Sequence, residues 1–298
     1  MKKSEERFDR ITDFPAHRAK RVALQQSEMG PRLFGTIPSN VSEDTLLVAG
    51  RRALIHRPTD VQGSLPVVVN FHGGGWVQGN PEQVRWLASE VAAGAGAVVV
   101  SPTYRLAPEH PYPAAVEDAR DALTWVVEHA AELGTDPDRI AVMGDSAGGN
   151  LAAAVTLMAR DAGGPPIRAQ VLSYPVTDMY EIYPSEVQHA QAPILTSANM
   201  RTLVHLYLHD QYDTTACDAS PMRASSHASL PPTLVVTAEI DILRDHGAKY
   251  VEALKRSGSP ARLSEHRGAV HGFLSLPGVV PASKAAVRDI VAHLREHL

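Results

Sequence analysis

The sequence predicts an α/β fold, a mostly parallel sheet wrapped by helices, and three observations carry that prediction. Short apolar runs recur at 66–71, 97–100, 140–143, 169–174 and 233–238, the texture of strands buried on both faces. Helical segments with a single apolar face lie between most of them, so strand and helix alternate as crossover-connected parallel strands require. One junction is unusually tight: Ile140-Ala141-Val142-Met143 runs through Gly144-Asp145-Ser146-Ala147-Gly148-Gly149 straight into an alanine-rich helical segment. Gly144, Ser146 and Gly148 satisfy the G-x-S-x-G pattern, in which the glycines let strand and helix crowd together while the serine hydroxyl projects outward.

Composition bounds the rest. A chain of 298 residues, 44% hydrophobic and 20% charged, can bury one large core, and a single domain with a covering segment is the expected organisation. A net charge of -5 and no lysine or arginine run argue against nucleic acid as a partner. Cys217 is the single cysteine, which excludes an internal disulfide and a thiolate-rich metal site; no metal is expected. The first thirty residues hold no apolar stretch of signal-peptide or membrane-span length, so a cytoplasmic protein with no membrane partner is the expectation.

Taken in order, residues 1 to about 40 read as helical patches broken by Pro15, Pro31 and Pro38, an accessory piece ahead of the first strands. Leu46-Leu47-Val48 and Ala53-Leu54-Ile55 suggest an edge hairpin. The strand at 66–71 feeds His72-Gly73-Gly74-Gly75-Trp76, where three consecutive glycines expose backbone amides that a bend can aim at one spot. Asn80-Pro81 starts a helix that Gly94 and Gly96 stop. Another strand, 97–100, precedes a proline-rich loop over 101–110, and a long helix is expected from Pro113 to Leu133. Between Pro175 and Pro232 the pattern loosens around one helix at 197–207, an insertion too long for a mere connector. With residues 1–42, the stretch 176–229 is expected to form a lid. A last short strand at 261–265 leads to Val270-His271-Gly272-Phe273, and a helix from about Pro281 closes the chain.

A serine hydroxyl is a weak nucleophile at neutral pH and needs an imidazole to take its proton and a carboxylate to hold that imidazole in one tautomer. Asp241 and His271 sit in loops after two later strands, which places them at the same sheet edge as Ser146. Glu239 and Asp245 compete with Asp241 for the acid, whose position at the strand end favours it; His246 and His266 compete with His271, which glycines flank.

Five ordered blocks, HGGGW at 72–76, YRLAPEHPYPAA at 104–115, GDSAGGN at 144–150, DILRD at 241–245 and VHGF at 270–273, resemble the hormone-sensitive-lipase-like family of α/β-hydrolase esterases. The resemblance implies an α/β-hydrolase fold: an eight-stranded, mostly parallel sheet with a helical lid, hydrolysing carboxylic esters of small molecules without a cofactor. It assigns Ser146 as nucleophile, Asp241 as orienting acid, His271 as base, and the amides of Gly73, Gly74 and Ala147 as oxyanion donors, with Gly75 able to replace Gly73. It admits a homodimer, which family members often form through the sheet edge. Trp76 stands where the family often has phenylalanine or tyrosine, narrowing the pocket, and Ile242 replaces a frequent proline. The same residues would serve an amide or N-acetyl hydrolase or an acyltransferase. Receptors built on this fold lack the catalytic histidine that is present here.

Overall fold

The computed structural model describes residues 8–209 and 214–298. Eight strands form one sheet: β1 Val41–Val48, β2 Arg51–Pro58, β3 Leu65–Phe71, β4 Val98–Pro102, β5 Thr135–Asp145, β6 Ile167–Ser173, β7 Thr233–Ile240 and β8 Ala261–Val270. Their order is β1-β2-β4-β3-β5-β6-β7-β8, with β1, β2 and β4 paired antiparallel and every later pairing parallel. The α/β-hydrolase expectation is met strand for strand.

Why the middle of the sheet forms is plain from its side chains. All seven residues of β3 are buried, and Val67, Val68 and Val69 are fully so, because helices cover both faces and no solvent side remains to favour alternation. One layer holds α3 Arg85–Ala95 and α10 Ala282–His297, packed over Val68, Val99, Met143 and Val236. On the opposite face lie α4 Ala114–Glu128, α6 Ala147–Asp161 and α9 Arg244–Arg256, over Val67, Val69, Val142 and Val235.

Sequence expectation and structure part at two boundaries. The long helix expected over 113–133 is two: α4 ends at His129, which leaves helical geometry at φ -107°, and α5 Ala130–Leu133 follows as a single turn. The final strand runs to Val270 rather than stopping at Glu265, since β7 offers partners as far as Ile240.

Covering the carboxyl end of the sheet are α1 Phe14–Gln25, α2 Gly30–Phe34, α7 Pro184–Gln188 and α8 Ser197–Leu208. Asp13 caps α1 by accepting the Ala16 amide at 2.9 Å, and Pro15 in the first turn costs no hydrogen bond. No helix among the described residues is long and apolar enough to cross a membrane.

Candidate active site

Adjacent parallel strands leave the sheet at one level, and this gathers the site. Phe71 at the end of β3 is in register with Gly144 in β5, so the glycine loop and the serine turn emerge side by side. Ser146 sits at φ 56° and ψ -118°, a conformation L-residues rarely adopt, between β5 and the first turn of α6. Its neighbours permit this only as glycines. A Cβ on Gly144 would lie 2.2 Å from the Gly148 carbonyl oxygen, and one on Gly148 would lie 2.0 Å from that of Phe71. The hydroxyl opens into a cavity and not to bulk solvent, since Ser146 is 8% exposed.

The imidazole of His271 reaches Ser146 Oγ through Nε2 at 2.9 Å and Asp241 Oδ2 through Nδ1 at 2.8 Å. Asp241 is fully buried, and its other oxygen accepts the Leu243 amide at 2.9 Å. With Nδ1–H donated to a carboxylate, Nε2 is left as the acceptor facing the serine. Tyr174 packs edge-on against His271 at 5.0 Å and fixes the plane of the ring.

The competing residues are elsewhere. His246 lies on α9 against Glu186, 3.2 Å away, and His266 points from β8 to Ser264 and Asp289. Glu239 accepts the Gly268 amide, and Asp245 accepts the Ser185 amide. None of these four contacts the serine or His271.

The glycine loop corrects one expectation. Gly73 donates its amide to Asp145 Oδ1 at 2.7 Å, so that amide is committed and cannot also face the reaction. Gly74 and Gly75, at φ 126° and 62°, line the cavity beside Ser146, and Ala147 opens α6 with an amide that no preceding turn of its helix can use. Gly75, the alternative to Gly73, lines the cavity where Gly73 does not. Around the loop, the Gly73 carbonyl accepts from His72 Nδ1 at 2.9 Å and from Gln83 Nε2 at 3.1 Å, and Tyr104 donates to the His72 carbonyl at 2.7 Å. Burial pushes the His72 imidazole down to about 4, so this ring is neutral and its tautomer is set by the Gly73 carbonyl.

Sequence reasoning assigned no role to Asp145 or Asn150, although both stand inside the quoted block. Asn150 donates to the carbonyls of Val176 and Ala219, at 3.0 and 2.8 Å, and so pins the 176–229 insertion to the helix that starts just after Ser146. Arg18 on α1 was equally silent. It donates to the carbonyls of Val77 and Ala107, both at 2.7 Å, and pairs with Glu109 at 2.7 Å.

The cavity measures about 320 Å³. Phe8, Leu24 and Phe34 wall it from the amino-terminal side, and Leu195, Met200 and Leu203 from the insertion. Trp76 is fully buried in its wall and stacks on Tyr207 of α8 at 4.4 Å and 7°.

A serine turn, an imidazole on a buried carboxylate and a glycine loop at the carboxyl end of this strand order together define an α/β hydrolase. The alpha/beta hydrolase fold family matches residues 68–275, and the chain belongs to that family, among its hormone-sensitive-lipase-like esterases. It is 41% identical over 288 residues to carboxylesterase NlhH of Mycobacterium tuberculosis, covering 93% of this chain and 88% of that one. Esterase LipI of the same organism is 44% identical over 233 residues, 78% and 73% of the two chains. Among solved structures, the hyperthermophilic esterase of the archaeon Pyrobaculum calidifontis superposes with a TM-score of 0.86 at 39% identity, covering 96% of this chain and 94% of that one.

Proposed function

We propose that the protein is a carboxylesterase of small-molecule esters with short- to medium-chain acyl groups, working through an acyl-enzyme on Ser146. The observation that carries this reading is the unbroken Asp241–His271–Ser146 relay, at 2.8 and 2.9 Å, set at the floor of an apolar cavity. Relatives named as carboxylesterases and esterases, at 41 and 44% identity, support the reaction class.

His271 Nε2 takes the proton from Ser146 Oγ as the oxygen attacks the ester carbonyl. The carbonyl π-electrons move to oxygen, and that oxyanion is met by the amides of Gly74, Gly75 and Ala147. Collapse breaks the bond to the alkoxy oxygen, which leaves as the alcohol with the proton from His271. Water then repeats the sequence on the acyl-enzyme and releases the acid. No step calls for a metal or an organic cofactor. A cavity of about 320 Å³ stands at the small end of the ~300–1,000 Å³ typical of ligand pockets, which supports short acyl groups.

The segments 1–42, shortened to the residues before β1 begins at Val41, and 176–229 act as the lid: residues from both wall the cavity above the serine. Residues 1–7 and 210–213 of these segments lie outside the described residues. A homodimer formed through the sheet edge is consistent with β8 ending the sheet and with Leu263 exposed on it.

Rapid mixing with p-nitrophenyl acetate should give a burst of one nitrophenol per protein, followed by slower turnover. A serine-directed organophosphate should then label the Ser146 peptide in mass spectrometry. Label on another serine, or release without a burst alongside an unlabelled Ser146, would remove the acyl-enzyme reading.

A further inference from the structure

We propose that Asp145 is a positioning residue for the oxyanion hole: the carboxylate next to the nucleophile grips the Gly73 amide and so sets where the Gly74 and Gly75 amides point. The inference rests on the acyl-enzyme reading above and adds to it a residue with no part in the relay.

Asp145 is the last residue of β5 and is 3% exposed, yet it lines the cavity. Nothing about packing calls for a carboxylate there, because its neighbours along the strand are Val142, Met143 and Gly144. Its contact is specific. Oδ1 accepts the Gly73 amide at 2.7 Å, the length of a charge-assisted hydrogen bond. The approach is also too close for any side chain on the loop, since a Cβ at Gly73 would lie 2.5 Å from Asp145 Oδ2 and 2.9 Å from the Asp145 carbonyl oxygen. The first glycine of the loop is thereby fixed relative to Ser146 by the residue covalently attached to it. Other partners hold the loop's carbonyls: Tyr104 at His72, the His72 ring and Gln83 at Gly73, and the Val77 and Gln78 amides at Gly74. Removing Asp145 leaves those carbonyl bonds in place but takes away the anchor on the amide side of the His72–Gly73 peptide, so the dihedrals at Gly73 relax and the Gly74 amide, one peptide further on, loses its aim.

The titratable groups facing the carboxylate are His271 from the loop after β8, Tyr104 from the loop after β4 and Tyr174 from the end of β6. Burial holds both phenols well above their ordinary range, so they stay neutral. Burial also raises the Asp145 carboxyl, to about 6, against the opposing pull of the Gly73 amide and His271. The grip therefore weakens as pH falls through that region.

The test compares Asp145→Ala, Asp145→Asn, Gly73→Ala and the double variant Gly73→Ala/Asp145→Ala, with Ser146→Ala alongside and circular dichroism on each. Asp145→Ala should lower kcat about 100-fold, the low end for loss of an oxyanion donor, with KM within about threefold. Asp145→Asn keeps an acceptor without its charge and should recover about tenfold of that loss. Its acid limb of kcat should also be shallower than that of the wild type, because one of two protonations is gone. Gly73→Ala should be costly alone and clearly less costly in the Asp145→Ala background, where the Oδ2 clash is gone and only the Asp145 carbonyl oxygen, 2.9 Å from the added Cβ, still opposes it. Fully multiplicative losses would mean that Asp145 acts only through its charge on His271, and would overturn the proposal. So would an Asp145→Ala kcat within about threefold of wild type. If instead Ser146→Ala retains activity, the acyl-enzyme reading itself fails, whatever the Asp145 variants do.

Discussion

The floor of the site and its roof are held together by different forces. In α6, which begins just after Ser146, eleven consecutive residues from Ala147 to Leu157 are buried, over the apolar side chains of Val67, Val69, Val142 and Val235. In α1, part of the roof, Phe14 is the buried residue; the helix is fastened by Arg18 to two carbonyls and Glu109, and by Gln25 to Asn80. Burial of apolar area is non-directional and cooperative with the whole core. A half-exposed ion pair with a few hydrogen bonds is directional, local and worth much less. The serine turn is therefore tied to global stability, while on the lid reading proposed above access is tied to a latch that can open alone.

The sharpest way to break this contrast is at the floor. Ser146→Ala removes one hydroxyl and no packing, so it should leave the fold intact and lower kcat for p-nitrophenyl acetate by about 10⁶. More than about one per cent residual turnover would show that the relay at Ser146 is not the reacting centre.

Next comes the contrast between two buried histidines on and after β8. His271→Ala should approach the Ser146→Ala loss, because no other imidazole is within reach of Oγ. His266→Ala, whose ring meets Ser264 and Asp289, should leave kcat within about threefold. The reverse ranking in steady-state assays would move the base to His266.

A third prediction sets function against stability within the floor. Burial raises the Asp145 pKa from 3.8 to about 6, so the folded state holds that proton more tightly than the unfolded chain. This favours folding below about pH 4 and is lost as pH rises through about 6. Above that, the charged form costs up to about 3 kcal/mol, at ~1.4 kcal/mol per pH unit. Asp145→Asn should therefore be more stable than wild type in denaturant melts near pH 8, and the two should converge near pH 4. A variant equally stable at both pH values would show that the carboxylate is not under strain.

The smallest effect is expected at the roof. Arg18→Ala should leave kcat for acetyl esters unchanged while raising KM for octanoyl esters about three- to tenfold, the scale of losing ~1 kcal/mol of charged hydrogen bonding. An unchanged chain-length profile would mean that α1 does not govern access.

How legible all this was in the sequence depends on whether the forces are periodic. Strands such as 66–71 and 233–238 announce themselves because burial on both faces needs unbroken apolar runs. Ser146, Asp241 and His271 were readable since the chain must place each just past a strand end. The break at His129 was not, because α4 and α5 share one apolar stripe and only backbone geometry separates them. Neither was the commitment of the Gly73 amide: three identical glycines carry no sign of which one faces Asp145. Arg18 was invisible for a related reason, as its partners Val77 and Ala107 receive it through main-chain carbonyls that look alike in any sequence.

Arg18 and Glu109 also bear on how the protein would age under heat or acid. Burial alone would raise the Glu109 carboxyl, yet Arg18 carries it below the usual carboxylate range. Their contribution is present above the ordinary carboxylate range and disappears as protons displace the arginine. A sample losing that fastening would still turn over acetyl esters at full rate, so a routine assay with a small chromogenic substrate would certify it as intact. What it would have lost is discrimination: long and short acyl groups would be taken with less distinction, and the apolar walls beneath α1 would be open to other molecules in the tube. Shelf life judged by specific activity would then overstate shelf life judged by selectivity.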